Sequence, residues 1–366
     1  MFSVRSNAFD LVRLVLAALV AVMHVVYIGW GVAVAFPTGL SVATLGVDGF
    51  FVLSGFLVVR SYLQLDSLVR FAWHRFLRIM PGYLVCLTVI GLVVAPLVAW
   101  LEGRDPLSVV LGAESGATYI GANAGLVIFQ SGIGGLMADH PGGPAFDVSL
   151  WSLSFEVACY AMLAALGVTA LLRRRPGTVL ALAAAMLVMT VLQAVLLATL
   201  GLRPPAVVGL LVELVTLFLL GMVGYLYRDR IPAHGGWAVA ALAVLVVALT
   251  TVPDYRVLGA VPFAYLLLWV GLRGRVRVRT DLSYGVYIYH WPVGQLMVAA
   301  GLTAAGAVPF LLAVAVLVLL VAAASWHLVE RPALGRRHAR LPAVLAARIP
   351  RALVGPPARE EREARV

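Results

Sequence analysis

Apolar residues run through this chain in long stretches, broken by short clusters of arginine, proline and glycine. Stretches long enough to span a bilayer as helices, roughly 17 to 25 residues, lie near 9–34, 40–63, 77–100, 150–172, 177–201, 205–227, 235–252, 255–272, 283–301 and 305–327. The pattern predicts an all-α, polytopic integral membrane protein of about ten transmembrane helices. The pair 235–252 and 255–272 is the weakest, joined at Val252-Pro253-Asp254-Tyr255-Arg256, a turn that also suits a re-entrant pair.

Within these stretches a few polar residues recur at helical spacing. At about 100° per residue, Arg13, Ala17, Val20 and His24 share one stripe, with His24 roughly 16 Å further along the axis than Arg13. Asp10 lies one turn before Arg13 and suits a local ion pair. Ser149, Ser152, Glu156 and Tyr160 make a second stripe, with Glu156 just over one turn inside the outer boundary. Ser283, Tyr287 and His290 make a third. Ionisable groups in hydrocarbon cost at least ~2.5 kcal/mol each, so such residues face a bundle interior. Gly46, Gly49, Ser54 and Gly55 read as a close helix contact, whereas Asp48 needs more than packing. Glu213 reads as an isolated interhelical contact.

Composition agrees: of 366 residues, 62% are hydrophobic and 12% charged, so no soluble domain of ordinary composition fits. All 27 basic residues are arginine. With a cytoplasmic amino terminus and alternating sides, Arg104, Arg203 and Arg256 fall outside and the other 27 − 3 = 24 inside. By the positive-inside rule both termini are cytoplasmic, and this distribution argues against nucleic-acid binding. Ala33-Val34-Ala35 resembles a cleavage site, but Leu14–Trp30 is longer than the usual ~7–15-residue signal core, so the first helix is retained. Residues 1–330 form the transmembrane domain; 331–366, rich in Arg and Pro, form a cytoplasmic tail expected to be disordered. In the Gly-rich outer loop 101–149, the apolar patch near 120–138 is expected to dip into the interface. Cys86 and Cys159 lie in apolar stretches and imply neither a disulfide nor a metal cluster.

Two sets of residues carry candidate chemistry. Arg75 and Arg78 share a helical face; they are either a topology signal or, because Arg offers a planar fork of donors, a phosphate site. His24 is the best-placed general base, and Glu156 is either a structural partner or the carboxylate that assists it.

Six motifs in order resemble the membrane acyltransferase 3 family, the O-antigen and exopolysaccharide O-acetylase type. They are Arg13 and His24 with ten residues between, Gly46-Val47-Asp48 through Ser54-Gly55-Phe56-Leu57, Arg75-Phe76-Leu77-Arg78-Ile79-Met80-Pro81, Leu150-Trp151-Ser152-Leu153-Ser154-Phe155-Glu156, Ser283-Tyr284 through His290-Trp291-Pro292, and Val329-Glu330-Arg331-Pro332. Two departures are His74, where the family often has Arg, and the apolar Val157-Ala158-Cys159. The resemblance implies a stand-alone O-acyltransferase of the cytoplasmic (inner) membrane, without a carboxy-terminal esterase-like domain. Such an enzyme moves an acyl group, usually acetyl, from cytoplasmic acyl-CoA to a hydroxyl of a glycan or lipid-linked saccharide. Acyl-CoA is then a substrate; no permanently bound cofactor and no metal are expected.

On that reading His24 and Glu156 are catalytic, and Arg13, Arg75 and Arg78 bind the donor. Asp10, Asp48, Ser54, Ser152, Tyr287 and His290 support them, with His290 nearer the cytoplasmic end than His24. Whether His24 is a base or a transient acyl carrier stays open. A secondary transporter or a glycan-export subunit is the alternative, because carriers too place Asp, His and Arg on bundle-facing stripes.

Overall fold

The computed structural model of the protein describes residues 8–65, 67–274, 276, 278 and 280–338. Arg275, Arg277 and Arg279, three of the arginines expected on the inner side, and the tail from residue 339 lie outside the described residues.

Long helices stand at the places the apolar runs predict. They are α1 (Phe9–Trp30), α2 (Val42–Leu65) and α3 (Leu68–Leu101), then, after a short helix α4 (Gly116–Asn123), α5 (Trp151–Val168), α6 (Gly177–Leu200), α7 (Ala206–Leu226), α8 (Gly235–Thr251), α9 (Arg256–Arg273), α10 (Ser283–Ala299) and α11 (Ala307–Gly335). Eight are long and apolar enough to cross a membrane; α8 and α10 have 17 residues each. Hydrocarbon offers no partner to a bare N–H or C=O, so a chain this apolar satisfies its backbone within helices. α1 stops at Gly31, whose φ of 68° suits glycine and whose N–H closes on the Tyr27 carbonyl. α3 and α11 each pass through one π turn, at Ile90–Val94 and Trp326–Glu330.

α1 packs between α2 and α10, α2 against α7, α10 against α11, and α8 against α9. Between apolar helices in lipid, association comes from close packing rather than from the hydrophobic effect. The small residues of α2 supply it: a side chain on Gly55 would strike the Phe218 carbonyl of α7, and one on Gly221 of α7 would strike the Val52 carbonyl. A side chain on Gly46 would run into Val20 of α1.

Asp48 settles a different contact. It is wholly buried, and its carboxylate takes both the Nε and the Nη2 of Arg256, at 2.8 and 3.0 Å, with the Tyr255 hydroxyl at 2.7 Å. Arg256 also reaches Glu213 at 3.0 Å and Asp254 at 3.3 Å. Glu213 is therefore not isolated, and Asp48 pins the α8–α9 turn to α2 and α7. Breaking a buried pair on one side strands the other charge, at roughly 3–5 kcal/mol.

Of the expected apolar patch near 120–138, Ile133, Leu136 and Met137 are buried in the core, whereas Val127 and Phe129 are exposed. Cys86 and Cys159 are buried free thiols.

Candidate active site

At the Arg13 end of the bundle, three elements meet on one carboxylate. Asp281, two residues before the start of α10, accepts from Arg13 of α1 at 3.0 Å and from Arg78 of α3 at 2.6 Å through Oδ2. Its Oδ1 accepts the Ser283 hydroxyl at 2.5 Å and the Ser283 N–H at 3.3 Å. Burial pushes the Asp281 carboxyl up, but the Arg78 and Arg13 guanidiniums beside it override this and hold it well below the usual carboxylate range. Arg78 also lies over the Tyr284 ring, 5.8 Å from its centroid. The local Asp10–Arg13 pair does not form: Asp10 is exposed, and Arg13 turns to Asp281 because that carboxylate is already anchored between two helices.

Further in, Glu156 Oε1 accepts the Ser54 hydroxyl at 2.8 Å and the Tyr160 hydroxyl in a very short contact. Arg75 sits 5.7 Å from the Tyr160 ring centroid, with its Nε buried and lacking a hydrogen-bond partner among the described residues. Arg75 and Arg78 share a helix face yet serve different clusters. The Ser152 and Tyr287 hydroxyls meet at 2.6 Å. Between these groups lies a cleft of about 60 Å³, lined by Arg13, Ser54, Ser152, Glu156, Ser283 and Tyr287 among others.

His24 and His290 form the deepest pair. The Nδ1 of His24 is 2.9 Å from the Nε2 of His290, and the rings stack at 5.1 Å with 21° between their planes. His290 Nδ1 lies 3.1 Å from the Val286 carbonyl, which can only accept, so that nitrogen carries the hydrogen. Neutral His290 then offers a lone pair at Nε2, and His24 donates to it from Nδ1. The Nε2 of His24 is left with a free lone pair. Trp291 packs edge-on against His24 at 5.0 Å. His290 therefore stands level with His24, not nearer the Arg13 end, because α10 runs alongside α1 from Asp281 upward. Glu156 does not orient His24; its carboxylate is taken by Ser54 and Tyr160.

The family profile described as an acyltransferase domain matches residues 6–327. The chain belongs to this acyltransferase family. It is also 26% identical over 355 residues to an O-acetyl transferase of Shigella phage Sf6, covering 92% of this chain and 98% of that protein. No solved structure matches it.

In this acyltransferase two parts of the site escape sequence reasoning. One is Asp281, whose signal was available: it is the single acid in the arginine-rich run Arg273–Tyr284. The other is the segment 140–149, which descends beside α10 without forming a helix. His140 Nδ1 meets Gln295 Oε1 at 3.0 Å, and Gln295 Nε2 donates to the Gly143 and Ala145 carbonyls, each at 2.9 Å. Trp291 Nε1 donates to the Ala145 carbonyl at 3.0 Å, and Ser149 Oγ lies 3.1 Å from the Tyr287 carbonyl. Tyr287, Trp291 and Gln295 are four residues apart, one stripe of α10, so the segment follows about 12 Å of that helix. α5 thus begins level with Tyr287, the fifth residue of α10, and Glu156 meets Ser54 midway along α2. Glu156 therefore lies just over one turn into α5 and level with the middle of α2. Irregular backbone at this depth is tolerated where protein covers it.

Asp147 sits at the lower end of the segment, fully buried, with Oδ1 held by the Ser149 N–H at 2.8 Å and hydroxyl at 2.6 Å. Its Oδ2 has no hydrogen-bond partner among the described residues.

Proposed function

We propose that this acyltransferase moves an acyl group, acetyl in the first instance, from cytoplasmic acyl-CoA to a hydroxyl of a cell-envelope or exported glycan, in the cytoplasmic membrane. The observation that carries the reading is the His24–His290 pair: His290 fixes the tautomer that leaves His24 Nε2 unprotonated. The acceptor O–H gives its proton to Nε2 while its oxygen forms a bond to the thioester carbonyl carbon. The C–S bond then breaks, and the proton passes from His24 to the departing thiolate, giving ester and free CoA. His290 takes no proton; it holds the imidazole of His24 as a buried acceptor, the orienting part that a triad gives to a carboxylate.

Arg13, Arg75 and Arg78 supply the donor end of the site. Two of them already share Asp281, so a phosphate that enters meets guanidiniums fixed in place rather than ones it must order. Ser54, Glu156, Ser152 and Tyr287, tied by their hydrogen bonds, line the cleft that Arg13 borders. A transporter reading finds no comparable support, because the imidazole tautomer prepared here is what acyl transfer needs.

The test is transfer of label from acetyl-CoA to total envelope glycan by the purified protein in bilayer discs. Time-dependent labelling of glycan that is absent with His24→Ala supports the reading. Release of free CoA without glycan labelling would replace the glycan with another acceptor. No acetyl-CoA consumption would overturn the whole reading.

A further inference from the structure

A larger cavity than the polar cleft, about 200 Å³, lies away from it between α7 and α9. Its walls are Leu220, Val223, Val261, Leu268, Leu272 and Ile231. Gly224 forms part of the floor, where Leu268 leaves no room for a side chain. Val261 is 52% exposed, so the groove opens to the outside of the bundle, along two helices apolar enough to cross a membrane. A hydrocarbon chain is what such a wall accepts.

One end of the groove is different. Arg228, part of the lining, stacks 4.6 Å from the Tyr225 ring and donates to the Tyr225 carbonyl at 2.9 Å, with the well-exposed Asp229 at 3.5 Å. Arg273, exposed at the last turn of α9, does not line the groove itself but lies 5.2 Å from the ring of Trp269, which does. Arg273 makes no ion pair among the described residues. Trp269 and Tyr265 in turn hold the 229–234 turn across the groove's end, through the Ala233 carbonyl at 3.3 Å and the Pro232 carbonyl at 2.8 Å. The cationic end is therefore built on a braced turn, with aromatic rings that suit the membrane interface.

We propose that this groove binds an anionic glycerophospholipid, with one acyl chain along the α7–α9 wall and the phosphate between Arg228 and Arg273. Two arginines against one Asp229 carboxylate leave net positive charge, and a planar guanidinium fork matches phosphate oxygens. The site is separate from the His24 chemistry, and its test does not depend on turnover.

The experiment is native mass spectrometry of the purified full chain in mild detergent. Phosphatidylglycerol and phosphatidylcholine of identical acyl chains are titrated in turn, with inorganic phosphate as a third arm. Phosphatidylglycerol should be retained over phosphatidylcholine by roughly tenfold to thirtyfold, the effect expected of two surface arginines. Arg228→Gln with Arg273→Gln should erase that preference, and Val261→Trp, which fills the groove from its open side, should remove the bound lipid altogether. Arg273→Gln alone, at an exposed side chain with no ion pair among the described residues, should weaken it measurably. Equal retention of both lipids, or retention unchanged in Val261→Trp, overturns the proposal. Displacement of phosphatidylglycerol by millimolar phosphate would show a phosphate site without a chain site, and overturns it too.

Discussion

His24 and His290 are joined nitrogen to nitrogen at 2.9 Å, so the proton on one imidazole sets which nitrogen of the other is free. Nothing else in the fold couples α1 to α10 through two titratable side chains among the described residues. Consequences for the histidines, the arginines, the Asp281 carboxylate, the segment beside α10 and the orientation of the bundle can each be measured directly.

Removing the base should cost more than removing its support. His24→Ala is expected to lose about 10²–10⁴-fold in kcat, the usual contribution of a positioned base. His290→Ala should lose roughly tenfold to a hundredfold, as a misplaced group does, with KM for acetyl-CoA unchanged. His290→Gln should recover part of that loss, because its amide oxygen can accept from His24 Nδ1. Wild-type turnover in His290→Ala would show that the pair is only packing.

Arg75→Gln with Arg78→Gln should weaken CoA binding by tenfold or more, since hydrogen bonds to charged groups are worth about 1.5–3 kcal/mol each. Isothermal titration with CoA on protein that remains monodisperse provides the measurement. Unchanged affinity would return both residues to the role of a topology signal.

The carboxyl that gathers the two arginines should make stability depend on pH. Asp281 is held low by Arg78 and Arg13, so the stability it contributes is present above the ordinary carboxylate value of about 3.9 and lost as pH falls below it. Thermal unfolding followed from pH 3 to pH 7 should therefore show a fall on the acid side that Asp281→Asn lessens, while the same variant is less stable than wild type at pH 7. A wild-type acid slope in Asp281→Asn would mean that the two guanidiniums do not govern that group.

The segment beside α10 should tolerate little. A Cβ on Gly142 would come within 2.7 Å of the Ile28 Cα, a backbone atom of α1 that cannot step aside. Gly142→Ala is expected to cost about 1–3 kcal/mol, as overpacking does, and to lower activity by shifting α1 near His24. Gly121→Ala, with open space at its Cβ, is the control and should be neutral. Equal unfolding temperatures for the two variants would place the segment away from α1.

Reporter fusions decide the orientation. With 24 of 27 arginines on one side of the expected topology, a fusion in the outer loop at Gly121, where space is open, should report outside and one at Ala346 inside. The reverse pattern would invert the bundle.

The sequence by itself determined where the helices lie and which residues of one helix share a face. Both are local: a run of apolar residues in hydrocarbon has little choice but to form a helix, and helical geometry alone puts Arg13 and His24 on one stripe. The close approach of α2 was legible as well, because Gly46 and Gly55 leave room that other residues would fill. What only the tertiary structure decided is which stripes meet. His24 takes His290 rather than Glu156, Arg13 takes Asp281 rather than Asp10, and Glu156 lies midway along α2 because residues 140–149 descend uncoiled before α5 begins. Those outcomes depend on the rotation, tilt and depth of each helix, which are set by packing against its neighbours and leave no mark on the spacing along any one of them.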